Sequence, residues 1–459
     1  MDLDDAKPQK SKNNQELAIV ARGEASGDNR SVEAESAAHG TERPGASGLM
    51  EAALERSNLQ AALKRVRKNK GSPGIDGMTV DELPDHLRVH WPSLRERLLA
   101  GTYQPQPVRR HVIPKSGGGE RELGIPTVLD RFIQQALLQV LQPRVDPTFS
   151  EHSHGFRPRR SAHDAVREAQ RYVQQGKRWV VDVDLEAFFD RVNHDVLMGR
   201  LAKRIEDRRV LGLIRHYLSA GVMANGVVMD RDEGTPQGGP LSPLLANVLL
   251  DEVDKELERR GHAFVRYADD SNVYVRSRRA GERVMQALRR MYAKLHLRVN
   301  ESKSAVAPVQ DRKFLGYTFW LSSKNEVRCT IARKALDVMK DRVRHMTSRM
   351  RGRSLAQICQ DLRAYLPGWK AYFRLVEMPA VFRELDSWIR HRLRSLQLKQ
   401  WMRGVTIFRE LRARGLSPRD ARCVAGNASR WWHNSGMRLI SIALPPTLFD
   451  KLGLPRLAT

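Results

Sequence analysis

The chain has 459 residues, 41% hydrophobic and 29% charged, which is enough apolar content for two or three domains with proper cores. Lys and Arg number 79 against 53 Asp and Glu, and this net charge of +26, with a pI near 10.4, calls for a polyanionic partner or a membrane surface. No apolar run approaches the roughly 18 residues of a spanning helix, and the hydrophilic start MDLDDAKPQKSKNNQ is not a signal peptide. The three scattered cysteines, Cys329, Cys359 and Cys423, build neither a disulfide framework nor a CxxC zinc site. Nucleic acid is therefore the expected partner class, no membrane is expected, and a reducing, cytoplasmic compartment fits.

Residues 1–48 are rich in Ser, Gly, Ala, Asn and charge and cannot bury enough apolar surface to offset the entropy of ordering, so a disordered tail is expected. From Leu49, apolar residues recur at helical spacing until GSPGIDGMT interrupts them, and LPDHLRVHWPSLRERLLAG predicts a second helical segment. In PVRRHVIPKSGGGERELGIPTV two short apolar runs flank Ser116-Gly117-Gly118-Gly119, the pattern of a β-hairpin with a glycine tip. Lys115 and Arg121 sit on opposite arms of that hairpin, where a flap could contact phosphate. No Gly-Lys-Ser/Thr follows the glycines, which excludes a Walker loop. DRFIQQALLQVLQPRVDPTF predicts a helix, and SHGFRPRRSAHDAVREAQRYV leads into another.

KRWVVDVDLEAFFDRVNHDVLMGRL opens with a β-run, Trp179 to Val183, that contains Asp182 and runs into Asp184. An acid at the end of a buried strand is costly unless it is hydrogen-bonded or meets a cation. GTPQGGPLSPLL, residues 234–245, predicts a loop before a helix. FVRYADDSNVYVR then sets Asp269 and Asp270 side by side between two strand-like runs: either a hairpin turn with a solvated tip or a metal site. A helix follows over AGERVMQALRRMYAKLHL, then a loop with Lys303, and KFLGYTFWL reads as a further strand.

Beyond about residue 330 the chain turns helical and strongly basic. Leu336, Met339, Val343, Met346 and Met350 recur at helical spacing with Lys340, Arg342, Arg344 and Arg349 between them. Ser354 is the expected N-cap of the next helix. Trp369, Tyr372, Phe373, Trp388 and Trp401 interleave with arginines. They are either the core of an ordinary bundle or a platform where Arg342, Arg344, Arg349, Lys370, Arg390, Arg392 and Arg394 meet RNA phosphates.

Asp184, Asp269 and Asp270 belong together if strands of one sheet bring them near each other. Converging carboxylates repel unless cations balance them. Two Mg²⁺ ions, which prefer oxygen ligands, would make such a group a site for phosphoryl transfer by in-line displacement.

In order, the chain carries GIDG (74–77), IPKSGGGERELGIP (113–126), HGFRPRRSAHDA (154–165), DLEAFFD (184–190) and TPQGGPLSPLLANVLLDE (235–252). YADD (267–270), LRVNESKS (297–304) and FLGY (314–317) follow. This succession resembles the blocks of a reverse transcriptase, and more closely the reverse transcriptase/maturases encoded within bacterial group II introns, over about residues 49 to 459.

The resemblance implies an α+β right-hand polymerase: fingers over 49–180, a palm with an antiparallel sheet over 181–325, a basic α-helical thumb over 326–405 and a tail over 406–459. Asp184 and Asp269 would be the main metal ligands, completed by Asp270, with Asp182 a structural acid. Lys115 and Arg121 would contact the incoming triphosphate, and Phe189 would exclude a 2′-hydroxyl beneath the sugar. Gln237 would pack near nucleotide and template, and Lys303 would meet the pyrophosphate. Implied partners are group II intron RNA, a DNA target or primer, and dNTPs; the implied activity is RNA-directed DNA synthesis with two Mg²⁺, together with assistance to splicing and intron mobility. LPGWKAYFR (366–374) and LDSWIRHRLRSLQLKQW (385–401) resemble the maturase region. The cysteines would not form the zinc site of the HNH nuclease that many members carry, so target cleavage by this chain is not expected. Two rivals stay open: a maturase with an idle polymerase site, and a relative serving phage defence or a CRISPR locus.

Overall fold

The computed structural model describes residues 48–114, 120–224, 227–229, 233–235, 238–349 and 352–458. The tail expected before Leu49 and the glycine tip of the first hairpin lie outside the described residues, apart from Gly48. The chain divides into two compact units, one ending at Arg312 and the other running on from Lys313.

In the first unit, helices α1 (Leu49–Ala53), α2 (Arg56–Asn69) and α3 (Leu83–Ala100) precede an antiparallel pair, β1 (Val108–Pro114) and β2 (Glu120–Ile125). The arms of the expected hairpin are thus in place. Helix α4 (Val128–Val145) starts at Thr127, whose side chain accepts from the Asp130 N–H, and it buries Phe132, Ile133, Ala136, Leu137 and Leu141. Helix α5 (Ala162–Gln174) opens with a reciprocal capping box between Ser161 and Asp164. After β3 (Trp179–Val183) come α6 (His194–Leu201), α7 (Arg208–Ser219) and two short strands, β4 (Val222–Ala224) and β5 (Val227–Met229). Sequence patterning did not predict β4 and β5, which extend the β1–β2 pair to a four-stranded sheet of order β2-β1-β4-β5. Their signal is Asn225-Gly226 between two apolar trios, a short hairpin mark easily lost after a long helix.

Helix α8 (Ser242–Arg259) starts after the Gly/Pro-rich loop, and β6 (Ala263–Tyr267), β7 (Asp270–Val275), α9 (Arg278–Lys294) and β8 (Ala305–Pro308) complete the unit. The second sheet has the order β6-β7-β3-β8, antiparallel throughout. Helix α5 packs on β6 and β7, and α9 on β3, β7 and β8. One face of the sheet joins a continuous core with α1, α4, α7 and α8, in which Val181, Leu197, Ile214, Leu249, Phe264 and Val273 are fully buried. Each such side chain contributes about 1.5–3 kcal/mol relative to exposure, so the sheet edge carrying the acids rests on a rigid base.

In the second unit, the strand expected over KFLGYTFWL forms as β9 (Tyr317–Leu321). It pairs antiparallel with β10 (Val327–Ile331) in a sheet of its own rather than joining β3 and β7. Helices α10 (Arg333–Met346), α11 (Leu355–Tyr372) and α12 (Pro379–Trp401) follow, then five shorter helices between Gly404 and Lys451. Ser354 caps α11 as expected, in a capping box with Gln357. Trp369, Tyr372 and Phe373 pack with Tyr317 and Phe382, so this part of the aromatic series is core.

Candidate active site

The two-residue turn between β6 and β7 is closed by the pair Tyr267↔Asp270, which leaves Ala268 and Asp269 at its tip. Ala268 has φ +59, a left-handed conformation that costs a residue with a Cβ about 1–2 kcal/mol. On the other side of β7, the register with β3 runs to Val183↔Ser271, so the next position along each strand sets Asp184 against Asp270. The two distant acidic segments thus meet at one end of one sheet, and Asp269-Asp270 sits in the tight hairpin turn that was one of its two expected forms.

The strand end at Asp184 is fastened by the 297–304 segment. The Asp184 N–H donates to Ser304 Oγ at 3.0 Å, its carbonyl accepts from the Asn300 N–H at 2.8 Å, and Leu185 bridges Val299. The same segment sets Lys303 Nζ 3.5 Å from Asp184 Oδ1. Both side chains are largely exposed, 63% and 45%, and such pairs are worth only about 0–1 kcal/mol, so a cation or an anionic ligand would exchange with this contact readily. Asp182 is engaged elsewhere: Arg312 Nε donates to its Oδ2 at 2.7 Å, and Asn272 reaches its other oxygen at 3.0 Å. That agrees with a structural acid.

Phe189 lies in a short 3₁₀ turn, Phe188–Asp190, entered through Ala187 at φ +46. Phe188 is buried beneath it, edge-to-face with Phe189 at 5.0 Å, which leaves Phe189 half-buried. The Gly/Pro-rich loop is bonded to this turn. The Thr235 N–H donates to Phe189 O at 2.7 Å and the Gly234 N–H to Val192 O at 2.8 Å. Gly234 has φ +91, and a Cβ there would lie 3.0 Å from the carbonyl oxygens of both Phe189 and Asp190, so the approach requires glycine. Lys115 and Gln237 lie outside the described residues, as does the side chain of Arg121.

Beneath the Ala268–Asp269 turn lie residues that the sequence reading did not select. Arg266 is 1% exposed and points its guanidinium into the protein. Its Nε donates to both carboxylate oxygens of Asp254 at 2.9 Å and its Nη2 to Oδ2 at 2.6 Å. Its Nη1 donates to Asn247 Oδ1 at 2.9 Å and to Ala268 O at 2.8 Å. Removing one partner of a pair this deeply buried costs about 3–5 kcal/mol.

The 152–157 segment lies alongside. The His154 N–H donates to Arg266 O at 2.8 Å, and the Arg266 N–H to His152 O at 2.9 Å. Glu168 on α5 gathers His152 Nδ1 at 2.5 Å, His154 Nε2 at 2.6 Å and the Tyr172 hydroxyl at 2.9 Å. Burial works to raise the Glu168 carboxyl, but the hydrogen bonds from His152, His154 and Tyr172 outweigh it and hold the group at about 2. His152 is raised in turn, chiefly by its hydrogen bond to Glu168. One sequence signal for this layer exists: an arginine inside the apolar run FVRY has to find an acid if the run is a buried strand.

Carboxylate oxygens at Asp184, Asp269 and Asp270 are the donor chemistry of a hard divalent cation. Among the described residues, however, no three His, Cys, Asp or Glu side chains are gathered into a ready metal-holding cluster. What the structure supplies is the backbone convergence and the neighbouring Lys303.

In the second unit the basic residues divide. Arg344 and Arg392 both lie over the Trp388 ring, at 5.7 and 5.5 Å, and Arg349 stands 5.7 Å from Trp431. Arg344 and Arg349 are exposed; Arg342, Lys370, Arg390 and Arg392 are half-buried. Arg394 is buried, donates to Leu444 O at 3.0 Å and lies over Phe449, so its guanidinium is occupied within the bundle rather than presented to RNA.

Residues 113–319 match the family described as reverse transcriptase (RNA-dependent DNA polymerase), and residues 336–415 match the group II intron, maturase-specific domain. Protein YkfC of Escherichia coli (strain K12) is 40% identical over 208 residues, 44% of this chain and 55% of that protein. The group II intron-encoded protein LtrA of Lactococcus lactis subsp. cremoris is 40% identical over 195 residues, 42% of this chain and 32% of that protein. The chain's match thus spans about half the length of the first relative and a third of the second. A chain of the partial Cas6-RT-Cas1--Cas2 complex is 25% identical, with a TM-score of 0.35, over 54% of this chain and 42% of that one.

Proposed function

The chain belongs to the reverse transcriptases that carry a group II intron maturase-specific domain, and from that premise we propose that it copies RNA into DNA and binds its intron RNA to assist splicing and mobility. The observation that carries the proposal is the pairing of β3 with β7, which brings Asp184 to the same sheet end as Asp269 and Asp270.

These three aspartates would hold two Mg²⁺ ions, which when bound would neutralise charge on the attacking and leaving oxygens of nucleotidyl transfer. The protein's own groups do the positioning. Phe189, supported by Phe188 and by the bond between Thr235 and its carbonyl, would sit beneath the sugar and refuse a 2′-hydroxyl. Lys303, already near Asp184, would meet the negative charge of the departing pyrophosphate. Lys115 and Arg121 would hold the triphosphate from the fingertip hairpin, with Gln237 at the nucleotide and template. Arg344 and Arg349, with Arg342, Lys370, Arg390 and Arg392, would contact intron RNA.

In this proposal the fingers occupy 49–180, the palm 181–325, the thumb 326–405 and the tail 406–459. The partners are intron RNA, a DNA primer or target and dNTPs, and the compartment is the bacterial cytoplasm. No helix among the described residues is long and apolar enough to cross a membrane. Splicing chemistry would remain with the RNA, so the maturase role is binding.

Replacing Asp269 by Ala tests the assignment. Primer extension on an RNA template is expected to fall by on the order of a thousandfold, the scale of losing one group that stabilises developing charge, while RNA binding persists. Extension at the wild-type rate would overturn the metal assignment, and a wild-type chain that binds RNA without extending a primer would leave a maturase alone.

A further inference from the structure

The Arg266 network goes further than stability requires. A buried arginine needs an acid, and Asp254 satisfies that need with bonds from Nε and Nη2. The remaining nitrogen, Nη1, is spent on the active-site turn: it donates to the carbonyl of Ala268, and also to Asn247 Oδ1. Asn247 Nδ2 in turn donates to Gly155 O at 2.9 Å. Gly155 lies directly against the turn, since a Cβ there would stand 2.1 Å from Ala268 N and 2.8 Å from Tyr267 C. The strained residue of the turn is therefore gripped on its carbonyl side by Arg266 and hemmed in on its amide side by the Gly155 backbone, and Asn247 ties the two grips together. A left-handed alanine persists only where its surroundings over-determine it, and Asp269 and Asp270 are the next residues in the chain.

We propose that Arg266, oriented by Asp254 and Asn247, is a positioning residue that fixes the Ala268–Asp269 turn in the geometry by which Asp269 and Asp270 hold a divalent cation. The proposal rests on the metal-site reading given above. Arg266 touches neither substrate nor cation; it acts through the turn, as outer groups orient metal ligands elsewhere.

The test uses the full chain and Mn²⁺ as the probe, with free Mn²⁺ followed by electron paramagnetic resonance, beside primer extension titrated with Mg²⁺ and thermal melting. Asn247→Ala removes the tie to Gly155 and one acceptor of Nη1 but leaves the Arg266–Asp254 pair intact. Arg266→Lys keeps a cation for Asp254 but lacks the fork that reaches Ala268. Both variants are expected to weaken the Asp269-dependent Mn²⁺ sites by about tenfold to a hundredfold, the usual cost of removing a group that orients ligands. The Mg²⁺ needed for half-maximal extension should rise by a similar factor, with the KM for dNTP held within about twofold.

A purely structural role would lower the melting temperature and leave the Mn²⁺ affinity of the folded protein unchanged, and that outcome in Asn247→Ala overturns the proposal even if Arg266→Lys fails to fold. Asp269→Ala separates the two claims. If it binds Mn²⁺ as the wild type does, the metal site itself is wrong. If it loses Mn²⁺ while Asn247→Ala and Arg266→Lys keep it, only the positioning role is wrong.

Discussion

Phe189 shows how one side chain's job depends on the backbone beneath it. It is half-buried because Phe188 fills the space below and because the Gly234–Thr235 loop is bonded to its turn. Replacing it with Ala should leave the fold intact and admit ribonucleotides. The ratio of rNTP to dNTP incorporation is expected to rise by about 10- to 100-fold, the scale on which a pocket discriminates by one small group. Steady-state incorporation of single nucleotides measures it, and an unchanged ratio would remove Phe189 from the sugar-selecting role. The placement of Asp184 at a strand end and of Asp269 and Asp270 in a turn was legible because acids in such positions carry recognisable neighbours. Arg266, Asp254 and Asn247 were not, because the hydrogen bonds that define their work join β6, α8 and the 152–157 segment, and nothing in local spacing announces those partners. Arg394 failed in the opposite direction: an arginine on an amphipathic helix reads as solvent-facing, whereas here it is buried and bonded to Leu444 O.

Among the elements, α5 is more than a cover for the sheet. Through Glu168 it gathers His152 and His154, and those residues carry the backbone bonds to Arg266. The sign of its pH dependence follows from the two shifts. Glu168 titrates in the folded state at about 2, below its ordinary 4.5, so its contribution is present above about 4.5 and is lost as pH falls toward 2. His152 is raised above its ordinary 6.5, so its contribution is complete below that value and is lost as pH rises through the folded one. The cluster should therefore stabilise most between pH 4.5 and 6.5, by up to about 3 kcal/mol. Melting curves of the wild type and Glu168→Gln should differ most in that window, converge as pH falls toward 2 and differ less, without converging, as pH rises through the folded value of His152; a constant difference across pH would show that the charges do not matter. The hairpin arms and the Ser354 cap could be read from sequence because their signals are local. Strands β4 and β5 were not, because three residues are too few for a period to show. The separate pairing of β9 with β10 was not either, because which strand neighbours which is set by the whole chain.

Across the whole molecule the dominant feature is charge: +26 over 459 residues, with arginines set beside tryptophans in the second unit. If that surplus serves RNA, binding releases counterions, and affinity should fall by about a hundredfold or more between about 50 and 200 mM salt. A flat salt dependence in a filter-binding titration would count against the basic helices as the RNA grip. Affinity for RNA alone, however, does not separate a polymerase from a folding aid. The decisive measurement is extension of a DNA primer on an RNA template by the purified full chain with dNTPs and Mg²⁺. The expected result is template-length DNA that requires the divalent ion and disappears in Asp269→Ala. Absence of extension by a wild-type chain that binds RNA, or extension that survives the loss of Asp269, would contradict the assignment of this sheet end as a polymerase site.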